Sequence, residues 1–298
     1  MKTKGKFFSK LMIFLYIALL ATVLLKSHNT KQIALGAAEL SPDISVCYDY
    51  NLRLNDQQRV LYNYIIEQLQ NGKLKVKSDL VKEFTQEDVE ETVLAVLDDH
   101  PEFFWLMNGY KIEQFQKLIT FQAYNYLGVT ISPEKYINAY SNAIENISSQ
   151  MNNAKGTNNR IKFVHDYLVR SVSYNHEAAA ETPFYTSNMP NSEMAFAGSS
   201  YGALVNSSAV CAGYAKAFQS ILQKNGICCG YVTGEVKSGL HAWSVVNVNG
   251  RDYYFDVTWD DLGDYYQPPN DLVYTYYSLD KVTMEKDHWA GEFYQNRN

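Results

Sequence analysis

Residues 210–224, VCAGYAKAFQSILQK, and residues 239–261, GLHAWSVVNVNGRDYYFDVTWDD, decide how this chain reads. The first stretch is an apparent helix that opens at Cys211 and stops at Gly226, a residue suited to the left-handed turn after a helix. The second alternates apolar and polar residues on both sides of Asn249-Gly250, a strong two-residue hairpin signal. Strands are therefore expected at about 241–248 and 252–258, after another at about 228–236. A thiol, an imidazole and a carboxylate follow one another at Cys211, His241 and Asp256. That order suits nucleophilic catalysis, because a thiol attacks as thiolate and needs a nearby base.

The hairpin allows a geometric test. If Val248 pairs with Arg251, then His241 falls opposite Thr258 and Trp243 opposite Asp256. His241 and Asp256 then become diagonal neighbours on one face, about 7–8 Å apart at their α-carbons. A slip of one residue would put them on opposite faces. For Cys211 the reasoning is electrostatic: orphan amides at a helix start and a neighbouring imidazolium both stabilise a thiolate. His241 would act as base and later as acid, Asp256 would orient it, and the Cys211 amide would supply one oxyanion donor. Taken singly, each residue has a plainer reading. A cysteine at a helix start is commonly a buried inert thiol, a strand histidine a structural residue, and an aspartate near a strand end a turn or cap residue. Order and parity together favour the catalytic reading.

Composition bounds the remaining possibilities. The 298 residues suffice for a substantial core, and a net charge of −6 with no basic face argues against nucleic-acid partners. Tyrosine, with 24 copies, is the dominant aromatic and suits either half-buried packing or a wet groove. Four lysines in MKTKGKFFSK precede the apolar run LMIFLYIALLATVLL at residues 11–25. This pattern is expected to act as a signal-anchor, single-pass with its N-terminus inside, or as a signal peptide cleaved near residues 34–38. The catalytic part would then lie outside the cell membrane, or be secreted. Export permits disulfides among Cys47, Cys211, Cys228 and Cys229, yet a chain of this length does not require one, and all four are expected to be unpaired.

Periodicity and caps predict helices from Asn55 to Gln70, from Thr85 to Leu97, from Ser132 to about Asn152 and from Asn158 to Val172. Between them, residues 101–127 suggest two or three strands around an Asn108-Gly109 turn. Residues 175–209, rich in Ala, Ser, Asn and Gly, show no period and read as a long loop. The organisation expected is a signal or anchor at 1–27, a linker at 28–51, an accessory helix and strand region at 52–130, a catalytic core at 131–264 and a Tyr-rich extension at 265–298.

YGALVNSSAVC (201–211), VCAGYAKAFQSILQKNGI (210–227) and GLHAWSVVNVNGRDYYFDVTWDD resemble the core of the transglutaminase-like superfamily, and HDYLVRSVSY (165–174) resembles the segment before it in bacterial members. The resemblance covers roughly residues 155–262, while 50–130 is similar to an accessory module found in Gram-positive bacteria. It implies an α+β fold of papain type, with a nucleophile helix packed on an antiparallel sheet. It also assigns Cys211, His241 and Asp256 as nucleophile, base and orienting carboxylate. Tyr201 becomes a candidate second oxyanion donor, and Trp243 and Trp259 are expected to wall the cleft. Members often carry Glu after the nucleophile and Asn after HAW, where this chain has Ala212 and Ser244, so substrate choice is not inherited. The expectation is an extracytoplasmic thiol enzyme, transferase or peptidase, acting on an amide of a peptide, protein or cell-wall component without metal or cofactor. The alternative is a surface binding or assembly module that keeps the fold without turnover.

Overall fold

Asn55 accepts backbone hydrogens from Gln57 and Gln58 through Oδ1 and so caps α1 (Asp56–Gln70), as its sequence predicts. The structure is a computed structural model that describes residues 50–123, 125–126, 129–130, 133–180, 196–263, 272–291 and 294. The run 11–25, Cys47 and the Tyr265-Tyr266 pair lie outside the described residues. Among the described residues no helix is long and apolar enough to cross a membrane.

After α1 come β1 (Lys75–Lys77), α2 (Leu80–Glu83) and α3 (Gln86–Asp99). Thr85 and Asp88 cap α3 reciprocally, each side chain bonding the other's backbone N–H. β2 (Leu106–Glu113) and β3 (Leu118–Ala123) then complete a three-stranded sheet in the order β1-β3-β2. Here the expected Asn108-Gly109 turn is corrected. Both residues lie inside β2, where the register against β3 shifts between Leu106 and Tyr110. The chain reverses instead at Gln114–Gln116, ending on Lys117 with φ of 56°. Pairing with β3 absorbs the local turn signal as a bulge.

β4 (Asn125–Tyr126) pairs with β5 (Val129–Thr130), and two long helices follow, α4 (Pro133–Met151) and α5 (Thr157–Ser171). Ile161, Val164 and Leu168 are buried along one stripe of α5. The loop expected over 175–209 is also corrected where it is described. β6 (Ser173–Tyr174) pairs in parallel with β7 (Ser208–Ala209), and between them run α6 (His176–Ala180) and α7 (Ser200–Leu204). Helices of five residues are too short to leave a period. The small residues are there for close approach: a Cβ on Gly202 would sit 2.2 Å from the Phe196 carbonyl oxygen, and one on Gly213 would sit 2.3 Å from that of Ala197.

α8 (Cys211–Lys224) packs on a four-stranded antiparallel sheet, order β10-β9-β8-β11, formed by β8 (Cys229–Val236), β9 (Gly239–Val248), β10 (Arg251–Phe255) and β11 (Trp289–Ala290). Val248 pairs with Arg251, as the Asn249-Gly250 turn requires. β10 stops at Phe255, short of the expected 258, because Asp256 caps α9 (Val257–Asp260). The C-terminal segment then crosses the sheet. Leu279 bridges Tyr254 at the β10 edge, α10 (Lys281–Met284) follows, and β11 pairs with β8 at the other edge. Met284 packs with Val232, Trp243, Val245 and Tyr254.

Buried residues from Tyr50 to Val257 belong to one cluster, so the first helices, the three-stranded sheet and α8 share a core. Many tyrosines are core residues whose hydroxyls find partners: Tyr62 bonds Asp99, Tyr140 bonds Ser220, and Tyr214 bonds Asp261 and the Val172 carbonyl. This favours packing over a wet groove. The expectation of four unpaired cysteines is corrected: Cys228 is disulfide-bonded, whereas Cys211 is a free thiol.

Candidate active site

Cys211 is the first residue of α8, half-buried, and the N-cap position, Val210, has no side chain that bonds the helix amides. The positive end of a 14-residue helix is therefore left to the thiol. His241, on β9, is hydrogen-bonded to Asp256, and Cys211 lies close enough to act on its ionisation. Its Nε2 lies 2.7 Å from Asp256 Oδ2. That bond commits Nε2, so proton exchange with the thiol runs through Nδ1. Burial resists charge on His241, but the hydrogen bonds and charges of Asp256 and Cys211 outweigh it and raise the imidazole to about 10. The site thus favours an imidazolium at His241 held by the Asp256 carboxylate.

Asp256 divides its two oxygens between two tasks. Oδ1 accepts the backbone N–H of Thr258 at 3.0 Å and of Trp259 at 3.1 Å, capping α9. Oδ2 faces His241. Asp256 thus caps α9 through one oxygen and bonds His241 through the other. Burial works against its charge, yet the hydrogen bonds and charges of His241 and His288 hold the carboxyl below its ordinary value.

His288 is the member of this cluster that sequence reading missed. Its Nε2 stands 3.2 Å from Asp256 Oδ2, and its Nδ1 stands 2.7 Å from Asp287 Oδ1. Ligand atoms of His241, Asp256 and His288 all lie within 4.8 Å of one another. Contacts of 2.7 and 3.2 Å to one oxygen are hydrogen-bond lengths. No spacing in the sequence signals His288, since a return across the whole sheet brings it to His241 and Asp256.

Trp243 and Trp259 both meet His241, with ring centroids 6.2 and 5.2 Å away. Trp243 is buried in the sheet's covered face, its Nε1 without a hydrogen-bond partner among the described residues, and Trp259 is partly exposed beside the imidazole. Tyr201 packs instead among Phe104, Phe196 and Tyr136, at 4.9, 4.8 and 5.5 Å. The tyrosine that feels the thiol is Tyr174, raised to about 12 by burial and then by the charges of Cys211 and Asp256. Ser244, at the position after HAW, bonds the Ala215 carbonyl of α8 and ties sheet to helix. His165 is fully buried, with its ring nitrogens 3.1 Å from Asp166 and 3.1 Å from Asp260.

Residues 145–257 match the family model described as Transglutaminase-like superfamily. No curated protein matches the chain. Two solved structures are similar at low superposition. One is the crystal structure of a TGase, 17% identical with a TM-score of 0.36, covering 48% of this chain and 37% of that one. The other is described as a "Putative Cysteine Protease from Cytophaga hutchinsonii", 15% identical with a TM-score of 0.31, covering 52% of this chain and 53% of that one. The chain therefore spans between a third and about half of the length of these structures. The stretch that matches the transglutaminase-like superfamily core, residues 145–257, sits in an α+β fold behind an N-terminal helix and strand region.

Proposed function

We propose that this chain is a thiol acyl-transfer enzyme that acts on an amide carbonyl through a thioester. His241 carries the reading: it is hydrogen-bonded at 2.7 Å to Asp256, and Cys211 at the head of α8 is near enough to raise its imidazole. The Cys211 thiolate adds to the carbonyl carbon, and the oxyanion takes the Cys211 backbone N–H. His241 then gives its Nδ1 proton to the departing nitrogen as the C–N bond breaks, leaving a thioester and a neutral imidazole. Water or a primary amine next attacks the thioester while His241 removes its proton, which returns the thiolate and imidazolium. Asp256 remains a carboxylate throughout and holds Nε2–H. Water gives hydrolysis and an amine gives transamidation.

The substrate class proposed is a peptide, protein or cell-wall amide outside the cytoplasm. The lysine-rich start, the apolar run 11–25 and the disulfide on Cys228, a bond typical of oxidising compartments, support that location. The test is incubation of wild-type and Cys211→Ala protein with glutamine-containing peptides, with and without a fluorescent primary amine. Mass spectrometry distinguishes deamidation, amine incorporation and peptide cleavage, and hydroxylamine traps a thioester on Cys211. If Cys211→Ala matches wild type in every product, the reading is wrong. Protease protection of the catalytic region in intact cells would overturn the location.

A further inference from the structure

We propose that His288 is a positioning residue of this site: held by Asp287 at Nδ1, it presents Nε2 to Asp256 Oδ2 and keeps that carboxylate turned toward His241. The inference rests on the acyl-transfer reading of Cys211, His241 and Asp256.

The geometry defines the task. The two α9 amides fix Oδ1 of Asp256, so the carboxylate can still swing about that end. His241 holds Oδ2 at 2.7 Å, and His288 meets the same oxygen at 3.2 Å, so both imidazoles restrain its swing. His288 is itself over-determined. Its ring is 1% exposed and lies 5.0 Å from Trp243, 4.5 Å from Trp259 and 5.2 Å from Tyr276. Asp287 receives Nδ1 on Oδ1 and the Tyr276 hydroxyl on Oδ2 at 2.8 Å.

The backbone anchors the residue on both sides. His288 N–H bonds the Met284 carbonyl, and the next two residues pair with Glu235 and Gly234 of β8. Only glycine fits at 234, because a Cβ there would lie 2.1 Å from the Trp289 carbonyl oxygen. A ring of this size in an aromatic cage needs no polar atoms to fill space. Burying an imidazole with carboxylate oxygens at both nitrogens costs free energy that a phenyl ring would avoid. Use of those nitrogens explains the choice.

Several groups set the charge of Asp256. His241 comes from β9, His288 from the C-terminal segment and the Thr258 and Trp259 amides from α9; Cys211 acts through His241, and the hydroxyls of Tyr174 and Tyr276 sense the carboxylate. Removing His288 deletes one hydrogen bond to the charged form. Asp256 then takes up a proton at higher pH, and His241 loses its hold with it.

The test uses the full chain and iodoacetamide, with Cys211 alkylation followed by peptide mass spectrometry from pH 4 to 9 and glutathione as the ordinary thiol. Wild-type Cys211 is expected to react faster than glutathione at pH 5–6. His288→Phe keeps an aromatic ring in the cage and should slow alkylation at pH 5 by about 10- to 100-fold, the scale of one lost hydrogen bond to a charge. Its acidic limb should move to higher pH. His288→Gln, which retains a donor for Oδ2, should recover to within about threefold of wild type, a rescue that a packing role would not produce. A folded His288→Phe within about twofold of wild type at every pH overturns the proposal. If His288→Phe does not fold, Asp287→Asn decides: an unchanged profile overturns the proposal, and an upward shift of the acidic limb supports it. Wild-type Cys211 that tracks glutathione across the range would instead overturn the acyl-transfer reading.

Discussion

Replacing Asp256 in two ways separates its two jobs. In Asp256→Asn the amide oxygen can still accept the Thr258 and Trp259 N–H groups, but an NH2 group replaces the acceptor that faces His241 and His288. Asp256→Ala removes both functions. Either change strips a buried imidazole of its anionic partner, which costs about 3–5 kcal/mol when one member of a buried pair is deleted. Asp256 is 1% exposed, so solvent screening offers little relief. The alanine variant should lose about 1 kcal/mol more, the value of a helix N-cap. Turnover should fall about 10⁴-fold in both, as when a triad carboxylate is neutralised, which corresponds to roughly 5 kcal/mol of transition-state stabilisation. Urea denaturation at pH 7 measures the first quantity and the rate of amine incorporation or deamidation the second. Asp256→Asn activity above about a tenth of wild type would refute the role of Oδ2, since the expected loss is far larger. Equal stability of the two variants would refute the cap.

Three further outcomes follow from the same geometry. His241 is raised from 6.5 to about 10, against the opposition of burial, so the folded state holds its proton more tightly than the unfolded chain. Its stabilisation is therefore complete below about pH 6.5 and is lost as pH rises through about 10. The stability gap between wild type and His241→Gln should shrink between pH 7 and 10.5 in denaturation curves, and a gap that widens would reverse the sign argued here. Gly213→Ala forces a Cβ to within 2.3 Å of the Ala197 carbonyl oxygen and 2.8 Å of Ala209 Cβ. The clash should destabilise the protein by about 1–3 kcal/mol and slow Cys211 alkylation by moving the helix start, and an unchanged melting temperature would contradict it. Tyr174→Phe removes a hydroxyl that senses both Cys211 and Asp256, and is expected to lower turnover several-fold with little effect on folding. Rates equal to wild type would exclude the hydroxyl from the reaction.

Local signals made the centre of the site legible. The Asn249-Gly250 turn sets the register of β9 against β10, and side-chain alternation then places His241 and Asp256 on one face. Helical spacing behind Cys211 and the Gly226 stop, with φ of 71°, define α8. Capping residues at Asn55 and Thr85 mark helices that form where their sequences predict them. Asn108-Gly109 misleads because a turn signal is weaker than strand pairing across β3. The short helices around residue 200 escape notice because one turn has no period and its small residues answer to neighbouring backbone.

Sequence alone thus determined a thiol at a helix start and an imidazole paired with a carboxylate across a hairpin, since both depend on interactions within a few residues or one turn. Tertiary structure decided everything that relies on distant segments meeting. It brought α8 against β9 so that His241 reaches Cys211, buried Tyr201 among aromatic rings, and left Tyr174 within the field of the thiol. It also carried residue 288 across the sheet to an aspartate 32 positions earlier. Periodicity encodes which face a residue occupies, whereas packing of the whole chain decides which faces meet.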